Sequence, residues 1–210
     1  MTHRPDLADI LLQAAERLVR ERSLSAVTLD AAANLAGVGV EEARAAFADD
    51  GALRRNLVQF YHAANREVLA FALRDVDTVE DFVRQAQHAV ENYYQIFQRD
   101  PDMRDVWTEI LTDREMRNYN VVQVTENAGL VCLLLRELLP HLPEAELTAT
   151  VELMIHMTDV AARWAAARDA DKGRAMLDAF CRLISLMAGD LLRLDHERAF
   201  ADASSSRQSA

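Results

Sequence analysis

The sequence predicts an all-α protein of two parts, and three observations carry that expectation. Glycine (6) and proline (4) are scarce among 210 residues, while alanine, leucine, arginine and glutamate, all good helix formers, dominate. Apolar residues recur at three- and four-residue steps in segment after segment, with no strand-like alternation. Residues 28–47, TLDAAANLAGVGVEEARAAF, read as two short helices joined by a glycine turn. Such a helix-turn-helix can place its second helix in a DNA major groove.

The elements follow in chain order. Residues 1–5 are a short arm that reads first as a frayed terminus, with His3 and Arg4 the alternative, as groups able to contact DNA. The first helix runs from Asp6 to Arg22 with Leu7, Ile10, Leu11, Ala14 and Leu18 on one face. Thr28 caps the second helix, and Asp30 in its first turn suits the helix dipole. Gly37 ends it, since glycine accepts the left-handed conformation. Val40, Ala43 and Phe47 carry the third helix. A fourth helix, capped by Asp49 or Asp50, runs to Arg74. Thr78 with Asp81 starts a fifth. Asp100-Pro101 starts a sixth, as a cap followed by proline. Thr112 with Glu115 is a capping box for a seventh, which ends near Leu139. The eighth runs from about Pro143 to before Asp169, and the ninth from about Lys172 to Leu194. Residues 199–210, AFADASSSRQSA, read as a disordered tail.

The run ILLQAAERLVRERSLSAVTLDAAANLAGV, with Phe47 and Leu53, resembles the amino-terminal domain of the tetracycline-repressor (TetR) family over about residues 7–60. Ala14-Ala15, Leu18, Thr28, Ala36-Gly37-Val38 and Phe47 all fall where that family has them. The resemblance implies a DNA-binding domain over residues 1–50, with helix 4 as connector. It implies an effector-binding and dimerisation domain over 51–198. The implied function is a ligand-responsive transcriptional regulator, a repressor released by a mainly apolar small molecule. Its partners would be double-stranded operator DNA, that effector and a second copy of the chain. Thr28, Gly39, Val40, Glu42, Arg44, Arg54 and Arg55 are the candidate DNA contacts, with Arg44 the best candidate for a guanine.

Four positions depart from the family. Gly39 stands where serine is usual, Arg44 for tyrosine, Ala46 for an aromatic or histidine, and Asp50 for lysine. The usual residues there serve mostly as phosphate contacts. Residues 1–75 hold nine arginines against eleven carboxylates, so the DNA domain itself has no positive excess within a total of −11. These features motivate an alternative: a TetR-like fold with weak or lost DNA binding that acts as a ligand- or protein-binding module.

For the effector, the residues offer large apolar side chains mixed with a few polar ones, as pockets require. The candidates are Tyr61, Tyr94, Met103, Trp107, Leu111, Val124, Asn127, Met154 and Thr158, and the resemblance implies a cavity among helices 5 to 8. Helix 9 is apolar over more than half its girth, which fits either a central core helix or an oligomer interface. The resemblance implies the second, with Met154, Ala162, Phe180, Leu183 and Met187 at a four-helix dimer interface.

No enzyme is expected, and no catalytic residue, metal site or cofactor. There is no Gly-rich phosphate loop and no His-Glu-x-x-His. Glu152 and His156 lie one turn apart, but read as an ordinary helix-face pair. Cys132 and Cys181 lack metal-like spacing and read as buried small hydrophobes. No apolar run is long enough to span a membrane, and no apolar signal region opens the chain, so a cytoplasmic protein is expected.

Overall fold

A computed structural model describes residues 6–208; the side chains of Ala64 and of 206–208 fall outside that description, as do His3 and Arg4 of the expected arm. Among the described residues there are nine α-helices and no strand. They are α1 (Leu7–Glu21), α2 (Leu29–Ala36), α3 (Val40–Ala46), α4 (Asp50–Ala72), α5 (Val79–Arg99), α6 (Pro101–Thr112), α7 (Arg114–Leu138), α8 (Glu144–Ala166) and α9 (Ala170–Gln208), with a single 3-10 turn at Leu24–Ala26.

The helices gather into two compact units. The first combines Met1–Asn65 with Asp100–Gln123, and the second Arg66–Arg99 with Val124–Ala210. α4 and α7 each supply residues to both, so these units cut across a division at residue 50.

In the first unit α1 packs on α2 and α3, and α6 packs on α1 and the 3-10 turn. Leu11, Ala15, Val27, Ala32, Ala33, Ala43, Leu53 and Val58 form its dry core. Alanine at three of the α2–α3 positions lets short helices approach, so the small side chains set the geometry of the turn. α6 is strapped to α1 by charge. The Arg20 guanidinium donates to Asp100, the α6 N-cap, and the Glu109 carboxylate accepts the Leu24 backbone N–H.

In the second unit α5 packs on α8 and α9, and α8 packs on α9. Phe82, Val90, Phe97, Leu147, Val151, Leu177, Ile184 and Leu191 are buried there. α8 and α9 meet where a side chain would not fit: a Cβ on Gly173 would lie 2.6 Å from the Ala165 carbonyl oxygen.

Two expectations change. The cap of α7 is Asp113, whose carboxylate accepts the Met116 N–H at 2.9 Å; Thr112 instead donates back to the Glu109 carbonyl. The stretch 199–208 is not a disordered tail but the last turns of α9. Three charged side chains on one face explain the difference. Buried Asp195 accepts the His141 N–H at 2.7 Å, Arg198 reaches Glu146 at 2.7 Å, and Asp202 lies 3.9 Å from the His141 ring. They hold the helix against the α7–α8 connection, and small polar residues then continue it at little penalty.

Candidate nucleic-acid interface

The interface is built from the α2–turn–α3 segment. Thr28 Oγ1 accepts the Ala31 N–H at 3.1 Å, starting α2. Gly37 takes φ 71°, ψ 29° and closes it; any other residue there would be strained, because only glycine adopts that region freely. Gly39 is the N-cap of α3, with φ −68° and ψ 141°, an ordinary extended conformation. Glu42 Oε2 accepts the Gly39 N–H at 3.0 Å. The acid therefore has a local task, holding the first donor of the recognition helix.

Arg44 projects from the last turn of α3 and is 54% exposed in its side chain. It is not alone. Its Nη1 donates to Glu41 Oε1 at 3.1 Å, and its Nη2 lies 3.7 Å from Asp30 Oδ1. Exposed pairs of this kind contribute about 0.2–1 kcal/mol each. A bidentate arginine–guanine contact discriminates by roughly 1–3 kcal/mol.

Asp50 is where the structure revises the sequence reading most. Its Oδ1 accepts the Leu29 N–H at 2.7 Å, so the start of α4 caps the start of α2. The acid stabilises the fold rather than merely lacking a phosphate contact. Asp49, not Asp50, caps α4, accepting the Ala52 N–H at 2.6 Å.

The other arginines are divided. Arg55 is bound to Glu115 and lies 3.8 Å from Asp49. Arg20 is held by Asp100 and Glu16. Its hydrogen bond to Asp100 raises the already basic guanidinium further, against the opposing effect of burial. Among the described residues no ion pair holds Arg22 or Arg54. Val40 is half-buried beside the turn. The acids that claim Arg20 and Arg55 come from α6 and α7, about 60 to 80 positions away, so no local pattern announces them.

The effector candidates fall into both units. Tyr61, Met103, Trp107 and Leu111 belong to the first. Trp107 is buried edge-on to His62, 5.2 Å between centroids, and 6.2 Å from Tyr61. His62 Nε2 pairs with Asn120 Oδ1 at 2.9 Å. Burial, with the nearby Glu16 carboxylate, pushes the Tyr61 phenol far up, only partly offset by Arg20.

Tyr94, Val124, Asn127, Met154 and Thr158 belong to the second unit. Asn127 is buried there with no hydrogen-bond partner for its Oδ1 among the described residues. Thr158 donates to its own helix, to the Met154 carbonyl at 2.8 Å. Tyr94 packs under Arg174, 5.5 Å from its ring. Sequence reasoning missed a half-buried Arg163–Asp159 pair at 3.0 Å on α8. Burial, then the Asp159 charge, raises the Tyr93 phenol. An open groove of about 360 Å³ lies between α4 and α5 in this unit, lined by Val68, Phe71, Asp75, His88 and Glu91 among others.

Of the interface candidates, Met154, Ala162 and Phe180 are buried inside the protomer. They pack within the second unit's core. Leu183 and Met187 reach the surface, together with Leu153, Trp164 (55% exposed) and Leu186 (68% exposed). Periodicity shows that α9 is apolar over more than half its girth, but not which row turns inward. Among the described residues no group of three acids, histidines or cysteines can hold a metal, and no helix is long and apolar enough to cross a membrane. Burial raises both cysteine thiols.

Residues 80–191 match a family domain described as "Tetracyclin repressor-like, C-terminal domain". No curated protein matches the sequence. Among solved structures the chain is similar to the fatty acid degradation regulator FadR from Bacillus halodurans, with TM-score 0.63, 14% identity, and 87% of this chain and 96% of that one covered. It is similar to the transcriptional regulator FadR from Bacillus subtilis in complex with stearoyl-CoA, with TM-score 0.63, 12% identity, and coverage of 83% and 96%. A TetR-family transcriptional regulator from Pectobacterium atrosepticum follows, with TM-score 0.53, 18% identity, and coverage of 87% and 95%. At these identities the likeness to solved structures is one of fold.

Proposed function

The chain belongs to the tetracycline-repressor-like family, and on that premise we propose that it is a homodimeric transcription regulator that binds palindromic operator DNA through α3 and is released by a mainly apolar effector. The observation that carries this reading is the helix-turn-helix itself: α2 and α3 joined through left-handed Gly37, with Arg44 exposed on the outer helix. Arg44 contacts a base, Arg22 and Arg54 contact phosphate, and Thr28, Gly39, Val40 and Glu42 shape the helix that presents them.

The effector binds in the second unit. Asn127 supports this assignment, since a buried acceptor without a partner suits a ligand that donates a hydrogen bond. A long-chain acyl compound is one class to try, given the stearoyl-CoA bound by the Bacillus subtilis protein. The dimer forms through Leu153, Trp164, Leu183 and Leu186, an exposed apolar set on α8 and α9. The chain works in the cytoplasm, without catalysis or cofactor.

The self-paired Arg20, Arg44 and Arg55 favour a second reading in which DNA binding is weak and the fold serves as a ligand- or protein-binding module. A selection from random 30-base-pair duplexes, followed by gel shifts across a salt series, separates the two. The regulator enriches a two-fold symmetric sequence, and its affinity falls with salt by a slope of about −0.9 per phosphate neutralised. No enrichment and no shift at low salt would reject it.

A further inference from the structure

We propose that Asp30 and Glu41 are positioning residues that aim the Arg44 guanidinium at a guanine edge in the operator, a role that rests on the DNA-binding reading above. The two carboxylates come from different helices. Asp30 sits in the first turn of α2, and Glu41 in the first turn of α3. They meet the guanidinium at 3.7 Å and 3.1 Å on its two terminal nitrogens.

An exposed arginine normally samples many rotamers, and ordering it opposes binding. Anchors on two elements remove much of that freedom before DNA arrives. A guanidinium has five N–H donors. Glu41 takes one, and Asp30 at 3.7 Å attracts the charge without taking a hydrogen bond, which leaves donors for the O6 and N7 acceptors of guanine, the pattern a planar fork fits. Exposed pairs are too weak to sequester the side chain from such a contact. The same carboxylates repel phosphate, so a register that leaves Arg44 without a guanine is disfavoured. The acidic surface thus trades general affinity for discrimination at one base pair, which accounts for an acidic helix-turn-helix in a DNA-binding protein.

The test uses the full-length chain and duplexes selected with the wild type. Affinities for all single-base variants of the selected site are measured for the wild type, for Arg44→Lys, and for the double variant Asp30→Asn, Glu41→Gln. Arg44→Lys keeps the charge but loses the fork, and should reduce discrimination at one base pair per half-site by roughly tenfold. The double variant should lose discrimination at that same base pair by at least about threefold, while binding scrambled duplex more tightly. All three residues are exposed, so the melting temperature should hold; should the double variant not fold, Glu41→Gln alone, whose side chain is 87% exposed, carries the comparison. Unchanged discrimination at that base pair, or an even loss across the site, would overturn the proposal. If the wild type selects no duplex, the DNA-binding reading fails and this role fails with it.

Discussion

The helix-turn-helix surface and the α8–α9 surface are made by opposite rules. From Asp6 to Gln59 no large hydrophobic side chain is exposed among the described residues, while α8 and α9 expose Leu153, Trp164, Leu183 and Leu186. On the first surface charged side chains make most of the ties: Glu42 on Gly39, Asp50 on Leu29, Arg44 between Asp30 and Glu41. On the second the unmet demand is for dry contact. A charged, hydrated partner fits the first and an apolar one the second. The same alanine- and leucine-rich composition serves both, so composition alone does not distinguish them.

Leu183→Glu should break this contrast with the largest effect. Leu183 is 45% exposed in the protomer, so the variant should fold. A two-fold axis duplicates the charge, and burying it should weaken association by about 3 kcal/mol or more. Light scattering over a concentration series should show a dimer for the wild type and a monomer for the variant. A monomeric wild type at micromolar concentration would remove the proposed interface.

Asp50→Lys comes next. The substitution strands the buried Leu29 N–H, at a penalty of about 1–3 kcal/mol. For a chain of this size each kcal/mol lowers the melting temperature by roughly 2–4 °C. Asp50→Asn keeps an acceptor and should lose less. If thermal denaturation shows Asp50→Lys melting like the wild type, the α4–α2 tie contributes nothing, and the acid is only a missing phosphate contact.

These two residues show what the sequence makes legible. Caps are local: Thr28, Asp100 and Gly37 were readable because their partners lie within four residues. The Glu42 bond to the Gly39 N–H is just as local, although Glu42 reads from the sequence as a DNA contact. Ties between distant segments were not. Nothing near Asp50 points to Leu29, nothing near Leu24 to Glu109, and nothing near Asp195 to His141. The last tie is why residues 199–208 read as a tail although they are helix. Leu183 and Phe180 lie three positions apart on one broad apolar stripe of α9, yet Phe180 is buried and Leu183 is 45% exposed; only packing decides where along that stripe the core ends.

The α1–α6 strap gives a smaller, pH-dependent effect. Partial burial would raise the Asp100 carboxyl, but Arg20 and the Met103 and Asp102 N–H groups outweigh it and hold the group below its ordinary value of 3.8. A depressed carboxyl stabilises the fold above its unfolded pKa, and that contribution is lost as pH falls through the folded value. Both side chains are about a third exposed, so solvent screening limits the contribution to about 1 kcal/mol. Asp100→Asn should therefore melt lower than the wild type at pH 6–7. The gap should close as the pH is taken below the carboxylate range. A gap that persists undiminished in acid would assign the loss to the α6 cap rather than to the ion pair.

Gly39→Ser is the smallest perturbation and the sharpest probe of the acidic surface. The backbone there is extended, so serine fits without strain. Its Cβ would meet the Glu42 carboxylate at 3.2 Å, the far end of a flexible side chain that can move by a few tenths of an ångström. Serine is a slightly better N-cap than glycine, by a few tenths of a kcal/mol, so the melting temperature should change by about 1 °C or less. The hydroxyl also restores a donor at the mouth of α3. One new hydroxyl–phosphate hydrogen bond per subunit would tighten DNA binding, and because the hydroxyl is uncharged the salt slope should stay nearly unchanged. A clear fall in melting temperature would mean that serine has displaced Glu42 from the Gly39 N–H. An unchanged affinity with an unchanged melting temperature would mean that the start of α3 does not face the DNA backbone, and recognition would then fall to Arg44 and the last turn of the helix.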